Sequence, residues 1–309
     1  MRNWITGLLF GGLVALTPLA AEAKVKVVTS LPTLAAIARE VGGDDVEVTS
    51  LANPNQDAHF VDARPNLALA LNKADLLVVV GLELETGWLP TLLTGSRNGR
   101  IQPGGNGYLD ASTLVPLKQI PQQKIDRGMG DIHPGGNPHY LTDPRNGGRV
   151  AVGIANKLAS LDPANAAAFK RRANALKAGA DALAGSQSKR FADLQVIERH
   201  VVTYHNSWIY FLDWLNLIAI GTIEPKPGIS PDPGHVAWLL GHMRKVHADV
   251  IMQEAYYPTR IGSLLASKAP ATLVVLPGGA DFAKGQTYLD YVKELADKTY
   301  AAIVKDTGR

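Results

Sequence analysis

The chain has 309 residues, 46% apolar and 19% charged, with a formal net charge of +3 and no cysteine. That composition excludes a disordered chain, and a small charge without a basic cluster excludes nucleic acid as a partner. With no disulfide available, stability must come from the buried core.

The first segment is MRNWITGLLFGGLVALTPLAAEAK. Arg2 gives a positive start, an apolar run follows, and Ala21-Glu22-Ala23 is an A-x-A cleavage site. This reads as a secretory signal peptide over residues 1–23, not an anchor, because no second long apolar run follows. The mature chain is expected to begin near Lys24 and to be freely soluble in a bacterial periplasm, with no cysteine to carry a lipid. Its length suits two domains of ordinary size.

Short apolar runs follow at 25–31, 46–52, 75–81, 200–205, 217–223, 249–255 and 272–278. Each is rich in Val, Ile or Leu and stops at a polar residue, Gly or Pro, as buried parallel strands do. Helical patterns such as PTLAAIAREVG and HVAWLLGHMRKVHA alternate with them. Alternation of this kind predicts an α/β fold with mostly parallel sheets flanked by helices. The strands form two groups, separated by an Ala- and Lys-rich stretch that reads as helix, with Asp162-Pro163 as a helix start. The expected organisation is an N-terminal lobe over 24–150, a connecting helix region over 151–195 and a C-terminal lobe over 196–309. A helical connector is stiff, so large hinge closure is not expected.

In open parallel sheets, ligands bind beyond the carboxyl ends of the strands. His59 follows the run 46–52, His205 closes VVTYH, Glu254 closes VIMQE, and His139 lies in the loop before the connector. Three imidazoles and one carboxylate form a borderline-soft set that suits Zn²⁺ better than Mn²⁺. Asp57 and Asn206 are candidates to orient the rings, since a ligating histidine donates its other N–H to an acceptor. Asp57 can equally close a turn with its own backbone. Trp208 and Tyr210 follow His205 at helical spacing and read as core that keeps the site dry. His235 and His242, seven apart on one helix, read as solvated or capping. IEPKPGISPDPGH reads as a stiff loop that forms one rim of the crevice and a surface for a membrane partner.

The segments NPNQDAHF with RPNLALALNKADLLVVVGLELE, then NPHYLTDP, VVTYHNSWIYFLDWLNL and TYLDYVKELAD occur in that order. In this the chain resembles the periplasmic metal-binding proteins of zinc/manganese ABC importers, the cluster A-I solute-binding family. The resemblance covers nearly the whole mature chain. It implies two lobes joined by a long helix, and metal ligation by His59, His139 and His205. It also implies a non-enzymatic protein that delivers its cargo to an ABC permease in the inner membrane. The chain is expected to be a monomer, with a periplasmic metallochaperone as a further candidate partner. Many members carry an aspartate ligand after the last strand, where this chain has LPGGADF, with Leu276 or Pro277 in its place. The fourth ligand is therefore Glu254, Asp281 or water, and a strand end favours Glu254. The long His- and Asp-rich insertion of some zinc members is reduced here to His133, which reads as a loop residue or an auxiliary contact. The rivals are a Mn²⁺ or Fe²⁺ protein of the same fold, an exported zinc hydrolase with three histidines and an open position, and an adhesive surface role.

Overall fold

The computed structural model describes residues 23–123, 125–194 and 199–307. All of the expected signal peptide except Ala23 lies outside the described residues.

The first half runs β1 (Val25–Thr29), α1 (Pro32–Gly42), β2 (Val46–Ser50), α2 (Pro65–Asn72), β3 (Leu76–Val79), α3 (Leu89–Ser96) and β4 (Tyr108–Asp110). All pairings are parallel, in the order β2-β1-β3-β4. The strands are the expected apolar runs, and every side chain of β3 is buried. β4 is not foreshadowed by an apolar run, since its YLD is only half-buried at the sheet edge. Proline opens α1 and α2, where a missing N–H costs nothing and φ is already helical.

The connector is a pair of helices, α4 (Pro144–Leu161) and α5 (Ala166–Ala192). Asp143 caps α4 by accepting from the Arg145 N–H at 2.9 Å. The chain turns over 162–165, and α5 runs back against α4, with Gly148 close to Lys177 and Ala180. The 27-residue α5 is the long helix that leads into the second half.

That half runs β5 (His200–Thr203), α6 (Ile209–Leu215), β6 (Ile218–Thr222), α7 (Pro233–Val246), β7 (Val250–Glu254), α8 (Arg260–Lys268), β8 (Thr272–Leu276) and α9 (Tyr288–Thr307). Its sheet order is β6-β5-β7-β8, again all parallel. The two halves thus repeat one topology, and each reverses strand order beside its first strand, which is where open α/β sheets form a crevice.

One hydrophobic core is continuous across both halves, from Val27 and Ile37 through Ile154 and Phe169 to Val201, Phe211 and Val292. Polar links reinforce it. Arg39 lies over the Phe282 ring at 4.5 Å and donates to the Phe282 and Gln286 carbonyls, each at 2.9 Å. Tyr288, at the start of α9, points its hydroxyl at the Leu141 and Asp143 carbonyls at 2.9 and 3.1 Å. Its ring occupies the space a side chain at Gly147 would need, since a Cβ there would lie 2.1 Å from Tyr288 Cε1. Gly→Ala within a helix ordinarily stabilises by up to about 1 kcal/mol. Here the opposite sign is expected, because the ring is fully buried and tethered and cannot yield. Gly147→Ala should destabilise by about 1–3 kcal/mol, the usual cost of overpacking, read as a lower urea midpoint at unchanged slope.

Candidate metal centre

His59 sits in the loop after β2. Asp57 turns the chain there by accepting from the His59 backbone N–H at 2.9 Å, and Trp88 anchors the loop by donating Nε1–H to the Ala58 carbonyl at 2.9 Å. Asp57 Oδ1 also accepts from His59 Nδ1 at 2.8 Å. A carboxylate only accepts, so Nδ1 carries the proton and Nε2 is left with its lone pair. Both roles expected of Asp57, turn former and ring orienter, are thus filled together. Burial works against a charged Asp57, but the bonds from His59 outweigh it and hold the carboxyl below its usual range.

His205 lies just past β5. The β5–β6 ladder continues beyond both strands, with Glu224 N–H donating to the Tyr204 carbonyl at 3.0 Å. This sets Glu224 beside His205, and its Oε2 accepts from His205 Nδ1 at 2.7 Å. Again Nε2 is left as the free donor. Burial opposes a charge on His205, but the hydrogen bond and charge of Glu224 prevail and raise its proton affinity above the ordinary histidine value. Glu224 is the residue that the sequence reading missed. The signal available was an acid two residues beyond a strand end, inside a segment read only as a Pro/Gly rim.

His139 precedes a short turn, Tyr140–Thr142, whose Tyr140 is fully buried and donates its hydroxyl to the Val80 carbonyl beyond β3 at 2.7 Å. His139 Nε2 is shielded from solvent and has no hydrogen-bond partner. Burial first, then the neighbouring histidines, push its proton affinity far down, so the ring stays neutral.

The three rings converge. Centroids lie 5.4 Å apart for His59 and His139, 5.3 Å for His59 and His205, and 5.4 Å for His139 and His205. One ring nitrogen from each lies within 4.8 Å of the other two. His133 joins from the loop over 115–139, with Nε2 3.3 Å from His59 Nε2. Burial and the charge of His59 lower its pKa to about 4. His133, His139 and His205 line a cavity of about 310 Å³ with Gln119, Met129 and Pro227.

Glu254, the expected fourth ligand, stands near His205, whose charged form it favours. It is buried at the end of β7 and turns Oε1 to accept from the Ser207 hydroxyl. Its Oε2 has no partner, and it is absent from the converging set. Burial raises its pKa to about 7, against the opposing bond from Ser207. Asp281 is also engaged elsewhere, capping the turn Phe282–Lys284 and pairing with Lys284 Nζ at 2.8 Å.

Among the described residues, Asn206 makes no hydrogen bond to a histidine ring. It joins a clasp at the feet of the loop, donating Nδ2–H to Gln119 Oε1 at 2.8 Å, while Asn137 Nδ2 donates to the Asn206 carbonyl at 2.7 Å. Tyr210 and Trp208 are core, as expected, but Tyr210 has a second role. Its hydroxyl accepts from the Lys118 N–H and donates to the Asn137 carbonyl, each at 2.9 Å, which pins both ends of the loop to α6. The rim segment meets the other loop directly, with Asp131 N–H donating to the Pro227 carbonyl at 2.9 Å. Among the remaining histidines, His235 and His242 sandwich the exposed Trp238 on α7, with both centroid distances 5.5 Å.

The family model for ZnuA, the zinc-uptake complex component A, periplasmic, matches residues 27–302. The chain belongs to this family. ZnuA-family proteins are solute-binding components of transport, working outside the cytoplasm with a membrane permease and ATPase, and they are not enzymes, which removes the hydrolase rival. The chain is 28% identical over 225 residues to the high-affinity zinc uptake system protein ZnuA of Paracoccus denitrificans, covering 66% of each chain. It is 24% identical over 235 residues to the manganese ABC transporter substrate-binding lipoprotein PsaA of Streptococcus pneumoniae, covering 75% of this chain and 72% of that one. Among solved structures, a crystal structure of ZnuA superposes with a TM-score of 0.74 at 23% identity, over 90% of this chain and 99% of that chain. That likeness bears on the fold, two parallel four-stranded sheets flanked by helices.

Partners that orient a ligating imidazole are worth about 10–100-fold in metal affinity. Asp57→Ala and Glu224→Ala should each weaken metal binding by about that factor, with all the histidines intact. Competition against a chromogenic chelator measures it.

Proposed function

We propose that this ZnuA-family chain captures Zn²⁺ through the Nε2 atoms of His59, His139 and His205 and delivers it to an ABC permease in the inner membrane. The observation that carries the reading is the convergence of three imidazoles, two of them fixed by carboxylates at Nδ1. Nitrogen donors without a carboxylate in the converging set favour zinc over manganese, which prefers oxygen. The protein works in the periplasm as a monomer and without a lipid anchor, having no cysteine to carry one, unlike the relatives named lipoproteins. A periplasmic metallochaperone is a further partner in this reading.

Protein isolated without chelator should hold zinc at one equivalent, and Zn²⁺ should displace Mn²⁺ in competition. A protein that takes up no first-row metal, or that prefers Mn²⁺, sinks the assignment. His139→Ala should abolish tight binding.

A proton and the metal compete for the same nitrogen. His139 and His133 stay neutral far below the ordinary histidine pKa of about 6.5, so acid does not reach them first. His205 is the site of competition, because Glu224 raises its proton affinity despite burial. Affinity should therefore begin to fall above pH ~6.5 and then drop by about tenfold per pH unit, the slope of one competing proton. Chelator competition between pH 5 and 8 reads the slope, and Glu224→Gln should move its onset to lower pH.

A further inference from the structure

Glu85, in the first half, is a buried acid outside the converging set. Both of its oxygens accept from the backbone, Oε1 from the Val80 N–H at 2.7 Å and Oε2 from the Gly81 N–H at 3.1 Å. Burial raises its pKa to about 7, against these bonds and one from Ser30. Burying an acid costs stability. What this one holds is an unusual piece of backbone. Gly81, Leu82 and Glu83 follow one another with φ of 81°, 55° and 65°. Only glycine takes that left-handed region freely, so Leu82 and Glu83 are held there against their preference. The Glu85 carboxylate clamps the entry to this turn. On its exit, the Glu85 carbonyl accepts from the Trp88 and Leu89 N–H groups at 3.2 and 2.9 Å.

The two ends of the turn are the mounts of two histidines. At the entry, the Val80 carbonyl accepts from the Tyr140 hydroxyl at 2.7 Å, and Tyr140 directly follows His139. At the exit, Trp88 Nε1–H donates to the Ala58 carbonyl at 2.9 Å, and Ala58 directly precedes His59. Gly87 lies against the same loop, where an added Cβ would stand 3.4 Å from the His59 carbonyl oxygen. The shape of the turn therefore sets the separation of these mounts.

We propose that Glu85 is a positioning residue for the metal centre: by clamping the left-handed turn over 81–83, it fixes His139 and His59 at the spacing a shared cation needs. This rests on the metal-capture reading above. His205 is held separately, from the second half, by Glu224. If the clamp is lost, the strained turn relaxes and Val80 shifts relative to Trp88. Every ligand and its Nδ1 partner then remains, but the rings of the first half no longer converge with His205.

The test uses the full mature chain with Zn²⁺ as the probe. Glu85→Gln keeps the size of the side chain but replaces one accepting oxygen by a donor, so one arm of the clamp is lost. Chelator competition should show zinc affinity lowered by about tenfold or more, as for other supports around a metal. Nitrogen-15 spectra of the imidazoles in the metal-free protein should show the His59 and His139 signals moved and that of His205 in place. A general loss of stability would not select two rings of three. Glu83→Gly in the same background should restore most of the affinity, because glycine takes a positive φ unheld. Tyr140→Phe, with Glu85 intact, breaks only the link at the entry and should move the His139 signal without that of His59; it carries the test if Glu85→Gln fails to fold. Wild-type affinity with unmoved signals in Glu85→Gln, a loss that Glu83→Gly leaves untouched, or an unmoved His139 in Tyr140→Phe would each overturn the proposal and leave zinc capture standing. A wild type that binds no zinc overturns the capture reading, and the ring signals then decide the role of Glu85 by themselves.

Discussion

Everything at the centre of this molecule depends on keeping several imidazoles neutral while they point their lone pairs at one place. Protonated rings with centroids 5.3–5.4 Å apart would repel strongly in a shielded cleft. Burial prevents this at His139 and His133 by making their charged forms costly. At His205 the sign is reversed, because Glu224 favours the extra proton. The carboxylates therefore have two effects. They fix the tautomer that a cation needs, and they make one ring the point at which protons compete with it.

The fold delivers these groups through repetition. Both sheets have the order 2-1-3-4 in local numbering, so each half offers a crevice beside its first strand. The first half contributes His59 from beyond β2, and the second contributes His205 from beyond β5 and Glu224 from beyond β6. His139 and His133 come from the segment that passes between the halves. No single half holds the site. The geometry then requires that the halves keep their relative placement, and the shared core with Tyr288 against Gly147 provides it.

The sequence revealed what depends on local pattern. Seven of the eight strands are apolar runs that end at a breaker, and the three converging histidines lie at or near such ends. β4 escaped because a half-buried edge strand of three residues has no apolar signature. The connector was legible as helix, but its fold into an antiparallel pair depends on small residues such as Gly148 and Ala180 meeting across it. Glu254 was favoured because a strand end is a firm mount, and it is mounted there. The direction of its carboxylate depends on Ser207, which arrives from another strand's loop. Glu224 and His133 were hidden for a related reason. Each lies in a Pro/Gly segment with no period, and only the tertiary approach of those segments to His205 and His59 reveals a role.

The same geometry bears on how such a site opens. Separating the halves as rigid bodies would expose apolar core, at about 25 cal/mol per Å². Even a few hundred Å² would then cost several kcal/mol. Lifting the described parts of the loop over 115–139 instead breaks a limited set of polar contacts, those of Tyr210, Asn137, Gln119 and Asp131 together with the Lys226–Gly128 bond and the Lys118–Asp213 pair, each hydrogen bond worth a net ~0.5–1.5 kcal/mol. That loop ends at His139, so moving it would draw this ring away from the other two converging imidazoles while the mounts of His59 and His205 stay in place. The cost of opening is thus concentrated in the segment whose displacement separates the converging rings. A membrane partner that grips the adjoining Pro/Gly rim, which touches the loop at Pro227, would act on it without having to pull the core apart.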